Sequence, residues 1–292
     1  MSTFYSLLGI SKQALHQHND RQLTRIEQEE RLMKQATAIR RRHPGMGCRT
    51  LYHLVEDVGL GRDKAEAYLL SNGFRLKRKV NFIKTTIRQS LYKFPNLIKG
   101  LKIQSINVVW QTDITYFMLP CGMVCYLTFI IDIYSRRILG YKANNHMRSE
   151  ANLECLKMAF RIRKDDSLAI LIHHSDYGSQ YVSKKYLEAL RSRNIRISMC
   201  ELAWQNAYTE RINGTIKNDY LKNRDIFTLH DLRKNLDIDV RAYNSERPHK
   251  NLPNRMSPFQ FEAFLKNTPK SKHPILKVFN HDKYQKSSLS LT

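Results

Sequence analysis

The chain has 292 residues, 42% of them hydrophobic, and a formal net charge of +23. That length allows two or more domains with one sizeable core, and no run of about 18 apolar residues and no basic-then-apolar leader occurs, so neither a membrane span nor export is expected and a cytoplasmic home follows. The sequence pI of about 9.9 predicts a polyanionic partner, nucleic acid first, over a merely soluble basic protein. The five scattered cysteines predict no disulfide framework. Cys121 and Cys125 lack a second pair or nearby histidines, so structural zinc is not expected there.

Residues 1–42 read as a helical, strongly charged segment, with Ser11 capping a helix and Leu23–Arg42 as a solvated connecting helix. His43-Pro44-Gly45 breaks it. Leu51, Leu54, Val55 and Val58 then fall at helical spacing, and Arg62–Ser71 gives a further helix that stops at Asn72-Gly73. Two short amphipathic helices joined by a glycine turn fit a helix-turn-helix over 43–79, or an ordinary helical hairpin. In the first case Arg62 and Lys64 face a DNA groove, followed by the basic run Arg75, Lys77, Arg78 and Lys79. Residues 80–104 read as a basic linker or a phosphate-tracking arm.

From Ile106 the pattern turns to strands. Asn107–Phe117 alternates, with Gln111, Asp113 and Thr115 on one face. Met123–Ile133 is almost wholly apolar and so central. Arg137–Ala143 is a third strand, and a helix covers Ser149–Arg163. The apolar run Leu168–Ile172 leads into His173-His174-Ser175-Asp176, followed by a helix near 183–193, a strand 195–199 and a helix carrying Glu210. Three sequential antiparallel strands followed by alternating helix and strand describe an α/β protein, a mixed sheet flanked by helices. Residues 105–268 are the expected core, and 269–292 a flexible basic tail.

Three carboxylates from a strand, a strand end and a helix can meet at one point: Asp113, Asp176 and Glu210. Phosphodiester chemistry needs a deprotonated attacking oxygen and a stabilised leaving oxygen, and two magnesium ions supply both. Magnesium takes hard oxygen ligands and keeps several waters, so a few carboxylates suffice. On the helix, Asn206, Glu210, Asn213 and Lys217 recur at i, i+4, i+7 and i+11 and share one face. Lys217 could hold a DNA phosphate near the metals. Asp132 is a rival carboxylate, read as capping its turn or pairing with Arg136 or Arg137. His173 is expected against the sheet, and His174 is expected to orient the loop or the DNA. Arg247 and His249 either end a helix or grip DNA beside Glu210.

Several motifs occur in order. They are Trp110-x-Thr-Asp113-Ile-Thr-Tyr116, Asp132-x-Tyr-Ser-Arg136-Arg-Ile-Leu-Gly140, His174-Ser-Asp176-x-Gly-Ser-Gln-Tyr181, and Asn206-Ala-x-x-Glu210 with Lys217. Tyr243-Asn-Ser-Glu-Arg247-Pro-His249 follows them, and His43-Pro-x-x-Gly47-x-Arg49 precedes them. As a set they resemble the insertion-sequence DDE transposases of the branch made from the second of two reading frames (OrfB, the IS-three family). The resemblance implies an RNase H-like integrase core with a mixed five-stranded sheet, preceded by an α-helical helix-turn-helix domain. It implies that Asp113, Asp176 and Glu210 ligate two Mg2+ ions, with Mn2+ able to substitute. It implies nicking of transposon ends and joining of the 3′-hydroxyl to a target phosphodiester. Transposon-end and target DNA, a homo-oligomer assembled on DNA and a first-frame (OrfA) protein are the implied partners. The 33 residues between Asp176 and Glu210 depart from the 35 usual in that branch, which places a shortening in Cys200–Gln205. A catalytically inactive end-binding protein and a magnesium-dependent nuclease are the competing readings.

Overall fold

A computed structural model describes residues 11–76, 94–200 and 203–278. The chain forms two compact units, Met1–Asn81 and Phe82–Thr292. No helix among the described residues is long and apolar enough to cross a membrane.

In the first unit, helix α1 (Lys12–Arg42) starts at Ser11, whose side chain accepts from the Ala14 N–H at 3.0 Å. Its N-terminal half leaves Leu23 and Ile26 in solvent, as expected of a solvated helix. Its last turns do not. Leu32, Ala36 and Ile39 share one face and join Met46, Leu51, Ala65 and Leu69 in a single core. The boundary expected between 42 and 43 therefore falls inside a packed unit.

The helix expected over Leu51–Val58 is also cut short. Helix α2 (Cys48–Leu51) passes into one tighter turn, Tyr52–Leu54, and the chain leaves helical geometry at Val55. Tertiary hydrogen bonds account for this. The Gln35 carboxamide on α1 bonds both backbone groups of Glu56, at 2.7 and 2.9 Å, and Arg31 Nη1 donates to the Asp57 carbonyl at 3.0 Å. Asp57 and Gly59 at positive φ then turn the chain. Helix α3 (Arg62–Ser71) follows with the expected bounds.

The second unit holds a five-stranded sheet made of β1 (Val109–Met118), β2 (Val124–Asp132), β3 (Ile138–Asn144), β4 (Ile172–Asp176) and β5 (Arg196–Cys200). The order across the sheet is β3-β2-β1-β4-β5. The first three strands are antiparallel, and β1, β4 and β5 run parallel. Alternation along β2 feeds two cores. Leu127, Phe129 and Ile131 point to one face, where helices α6 (Ala207–Thr215), α7 (Leu229–Ser245) and α8 (Pro258–Lys266) supply Ile212, Leu236 and Phe261. Ile130 points to the other face, with Trp110, Leu156 of α4 (Ser149–Ile162) and Tyr186 of α5 (Lys184–Arg191). This is the mixed sheet flanked by helices that the sequence predicts.

Two expected boundaries shift outward. In the predicted linker, Ile98 and Ile103 are buried in the core, and the Leu97 N–H donates to Ser198 Oγ on β5 at 2.9 Å. In the predicted tail, Leu276–Lys277 pairs antiparallel with Lys102–Ile103, and Val278 is buried. Ile98, Ile103 and Val278 draw these segments into the core, and the two short strands form a separate two-stranded sheet. Residues 80–93 and 279–292 lie outside the described residues.

Two devices hold the layers together. A Cβ on Gly140 of β3 would stand 2.3 Å from the Cys155 carbonyl on α4, so glycine alone permits that helix–strand approach. The Glu262 carboxylate on α8 is buried and takes Arg137 Nη1 at 2.6 Å, both terminal nitrogens of Arg163, and Ser135 Oγ at 2.8 Å. Removing one member of such a buried group strands the others. Glu262→Ala is expected to lower unfolding stability by roughly 3–5 kcal/mol in a urea titration, whereas substitution of the exposed Lys250 leaves it unchanged.

Candidate active site

Strand β1 and helix α6 meet through side chains at matching intervals. Alternate strand residues are about 6.8 Å apart, and helix residues four apart rise about 6 Å. Gln111, Asp113 and Thr115 on β1 accordingly meet Thr209, Asn213 and Lys217. Gln111 Oε1 accepts from the Thr209 N–H and Oγ1 at 3.3 and 3.2 Å, and its Nε2 donates to the Gln205 carbonyl at 3.1 Å. Asn213 Nδ2 donates to Asp113 Oδ2 at 2.8 Å. Lys217 Nζ donates to Thr115 Oγ1 at 3.3 Å and lies 4.2 Å from the centre of the Tyr116 ring. Between the first two of these contacts sits Glu210, exposed. Beyond Thr215 the helix widens into a π-type turn, Ile216–Tyr220, which carries Lys217.

Asp176 ends β4 opposite Cys200 on β5. The Gly178 N–H donates to its Oδ1 at 3.1 Å. A Cβ at position 178 would stand 3.0 Å from that oxygen and 2.8 Å from Gln180 Oε1, so the glycine leaves room for the carboxylate.

Asp113 feels both of the other acids. Burial first, then the charges of Asp176 and Glu210, hold Asp113 well above the ordinary carboxylate range, and the Ile114 N–H and the Asn213 amide offset this only in part. Partial burial raises Glu210 as well. Cys200, buried beside them, has its thiol pushed up to about 12 by burial and then by Asp176, Asp113 and Glu210. Asp113 therefore lies within electrostatic reach of both Asp176 and Glu210. As the side chains stand, no three Asp, Glu, His or Cys groups among the described residues are close enough to share one ion.

The other expected residues divide. Asp132 is fully buried and caps its turn. Its Oδ1 accepts from the Tyr134 and Ser135 N–H groups at 2.9 and 3.1 Å, and its Oδ2 accepts from the Asn107 N–H at 2.7 Å. Arg137 pairs with Glu262 instead of Asp132. His173 packs inward with Nε2 3.0 Å from the Tyr186 hydroxyl, and His174 Nδ1 lies 2.8 Å from Ser198 Oγ. Burial pulls the two imidazoles down to about 3 and about 4, so both are neutral struts under the Asp176 loop.

Among the expected DNA contacts, Asn206 and Asn213 turn inward. Both are buried, and Asn206 Nδ2 donates to the Thr112 carbonyl at 3.1 Å. A helix that docks on a strand by hydrogen bonds spends its polar face there. Arg247 donates to Asp219 at 2.5 Å, with its guanidinium 5.6 Å from the Tyr220 ring centre. His249 stands edge-on to Tyr243, 4.9 Å between ring centres, and is pulled down to about 3 by burial and then by Arg247 and Arg136. In the first unit Arg62, Lys64 and Arg75 are exposed, and Arg62 contacts Asp63 at 3.0 Å. Lys77, Arg78 and Lys79 lie outside the described residues.

Gln111 is the residue whose role the sequence does not disclose. Its place on the Asp113 face is readable from alternation. Its partners, Thr209 in α6 and Gln205 just before it, lie about 95 positions away, which no local pattern announces.

Two models of the integrase core domain match the chain, over residues 104–203 and 193–258. The 31 kDa protein of insertion element IS600 from Shigella sonnei is 30% identical over 269 residues, covering 87% of this chain and 96% of that one. The chain belongs to the insertion-sequence transposases with an integrase core. Transposase InsF of IS3A from Escherichia coli (strain K12) is 30% identical over 159 residues, 53% of this chain and 54% of that protein. A protein described as a transposase for IS986/IS6110, from Mycobacterium tuberculosis (strain CDC 1551 / Oshkosh), is 35% identical over 121 residues, 40% of this chain and 43% of that one. The chain thus spans about half the length or less of these last two relatives. Among solved structures, the HTLV-2 integrase catalytic core domain in complex with magnesium covers 57% of this chain and 98% of that one, at 19% identity and a TM-score of 0.42.

Two predictions follow from this geometry. An acid whose folded-state pKa is raised costs stability as pH rises through that range, and the cost disappears on acidification. Asp113→Asn is therefore expected to melt above the parent at neutral pH in EDTA, with the gap closing as the buffer is acidified; circular dichroism melts read both. Gln111→Met fills the same space but leaves the Gln205 carbonyl and Thr209 N–H without a partner. It should lower stability by roughly 2–3 kcal/mol in urea titrations.

Proposed function

We propose that this transposase nicks insertion-sequence ends and joins the freed 3′-hydroxyl to a target phosphodiester, with Asp113, Asp176 and Glu210 as the catalytic, metal-holding residues. The observation that carries this reading is the electrostatic setting of Asp113. Burial and two further carboxylates disfavour its charge and hold its pKa above the ordinary carboxylate range, while its direct partners in the fold are neutral amides. A site so arranged favours a hard cation. Magnesium suits an all-carboxylate donor set that leaves places for water, and Mn2+ is chemically close enough to substitute. When bound, two such ions supply a deprotonated attacking oxygen and stabilise the leaving oxygen.

The chain's own residues do the positioning. Asn213 occupies one oxygen of Asp113 and leaves the other for the cation. Gly178 fixes one oxygen of Asp176 and, by lacking a side chain, keeps the approach clear. Gln111 anchors the start of α6 and so sets where Glu210 stands. Lys217, held above Tyr116, carries an ammonium beside the acids that suits a DNA phosphate. In nicking, water attacks the end phosphodiester and frees a 3′-hydroxyl. In joining, that oxygen forms a new bond to the target phosphorus, and the target's own 3′-oxygen leaves.

The partners in this reading are transposon-end DNA, target DNA, further copies of the chain assembled on DNA and a first-frame protein. The exposed Arg62, Lys64 and Arg75 of the first unit suit end recognition. The site of action is the cytoplasm, where the element's DNA lies.

The test uses labelled end duplexes and a target plasmid. Asp176→Asn should lower joining by about a thousandfold, the effect of losing ~4 kcal/mol of charge stabilisation, while end-DNA affinity stays at the parent level. Cleavage without joined product in the parent would instead identify a nuclease. Binding with neither step would identify an inactive end-binding protein.

A further inference from the structure

Two stretches of the chain carry no step of the proposed chemistry, Asp132–Gly140 and Tyr243–His249. In the fold they meet. The Asn244 carboxamide bonds both backbone groups of Ile138 on β3 at 3.0 Å, and the Tyr243 hydroxyl donates to the Arg136 carbonyl at 3.2 Å. The end of α7 is therefore tied to the sheet, and Arg247 projects from that fixed point.

Arg247 reaches the widened turn beyond α6. There the Leu221 N–H bonds the Ile216 carbonyl five residues back as well as the Lys217 carbonyl four back. Such a turn carries one residue more than an α-turn, usually occurs singly inside an α-helix and is common at functional sites. Something must hold the extra residue in place. Arg247 Nη2 donates to Asp219 at 2.5 Å, and its guanidinium lies 5.6 Å from the Tyr220 ring centre, so it grips two consecutive residues of the turn. From the other side, Lys217 bonds Thr115 on β1 and lies over Tyr116. The turn is thus strung between β1 and, through α7, β3. The Arg247 side chain is only 14% exposed, which commits its charge to Asp219 and not to an outside ligand.

We propose that Arg247 is a positioning residue for Lys217: it holds the widened turn, and the turn sets where the ammonium stands. A lysine stem is flexible, so its charge stays in one place only while its backbone and its resting surface are fixed. Closing the turn to α geometry would rotate the residues after it by about 100° relative to those before it. Asp219 and Tyr220 would then have to leave Arg247, so the bonds from Arg247 keep the turn open. Without them the turn relaxes and Lys217 loses its seat on Thr115 and Tyr116. The use of Lys217 in the reaction rests on the reading given above; the hold of Arg247 on its seat does not.

The test uses the full chain and two readouts. Arg247→Gln alone strands Asp219, so the variant is D219N/R247Q, which leaves no unmatched charge, and its urea midpoint verifies folding. The first readout needs neither DNA nor metal. Acetic anhydride labels lysines in EDTA, and mass spectrometry compares Lys217 with the exposed Lys250. Labelling of Lys217 should rise about threefold or more in the variant as the turn opens locally, with Lys250 unchanged. Equal labelling of Lys217 in parent and variant overturns the proposal. The second readout is single-turnover nicking of a labelled end duplex with Mg2+. Lys217→Gln and D219N/R247Q should each slow nicking by about tenfold. The combined K217Q/D219N/R247Q variant should be no slower than Lys217→Gln, because both changes act through one ammonium. Losses that multiply to about a hundredfold overturn the proposal, since independent sites add in free energy. A folded D219N/R247Q variant that nicks at the parent rate also overturns it. A parent that never nicks, with labelling as expected, would sink the proposed chemistry and uphold the hold of Arg247 on Lys217.

Discussion

The second unit depends on how one strand grips one helix. Apolar packing alone would let α6 slide or rotate on the sheet, because hydrophobic contact has no direction. Gln111, Asp113 and Thr115 remove that freedom by bonding Thr209, Asn213 and Lys217 in register. The bonds are buried or half-buried, where leaving one unmade is costly. A carboxylate on a strand and another on a helix thus become fixed relative to each other, even though about a hundred residues of chain separate them.

That grip places like charges together, against the interest of the fold. Asp113 is raised by burial and by its neighbours, so the site is destabilising as it stands. The surrounding structure absorbs the cost. The two imidazoles beneath the loop are kept neutral by burial. Asp132, the last residue of β2, is raised by burial, which the charge of Arg163 and backbone N–H groups offset in part. Carboxylates of similar appearance in the sequence thereby acquire different settings, one locked into a turn and one placed beside two further acids.

The net charge of +23 takes on a different meaning once the residues are placed. Arg137 and Arg163 serve the buried Glu262, and Arg247 serves Asp219. Other cations lie on the surface, among them Arg161 and Lys164 at the end of α4. Composition therefore points to a polyanion, and only the contacts separate scaffold cations from those free to meet one.

Much was legible beforehand. Alternation placed Gln111, Asp113 and Thr115 on one face, the apolar run of β2 marked the central strand, and the helical spacing of Arg62–Ser71 matched α3 residue for residue. These signals survive because they depend on local geometry, two residues per strand repeat and 3.6 per helix turn. The motif order likewise pointed to the family. What failed was whatever a distant partner decides. Gln35 unwound the helix expected after Leu54, Leu32 and Ile39 drew a solvated helix into a core, and Ile103 with Leu276 paired linker to tail over the second core. Asn206 and Asn213 were expected to face DNA and instead bond β1. The sequence by itself determined the elements, their faces and the acids they carry. Only the tertiary structure decided which polar side chains are consumed in holding those elements together, because a hydrogen bond between residues a hundred positions apart leaves no periodic trace in either segment.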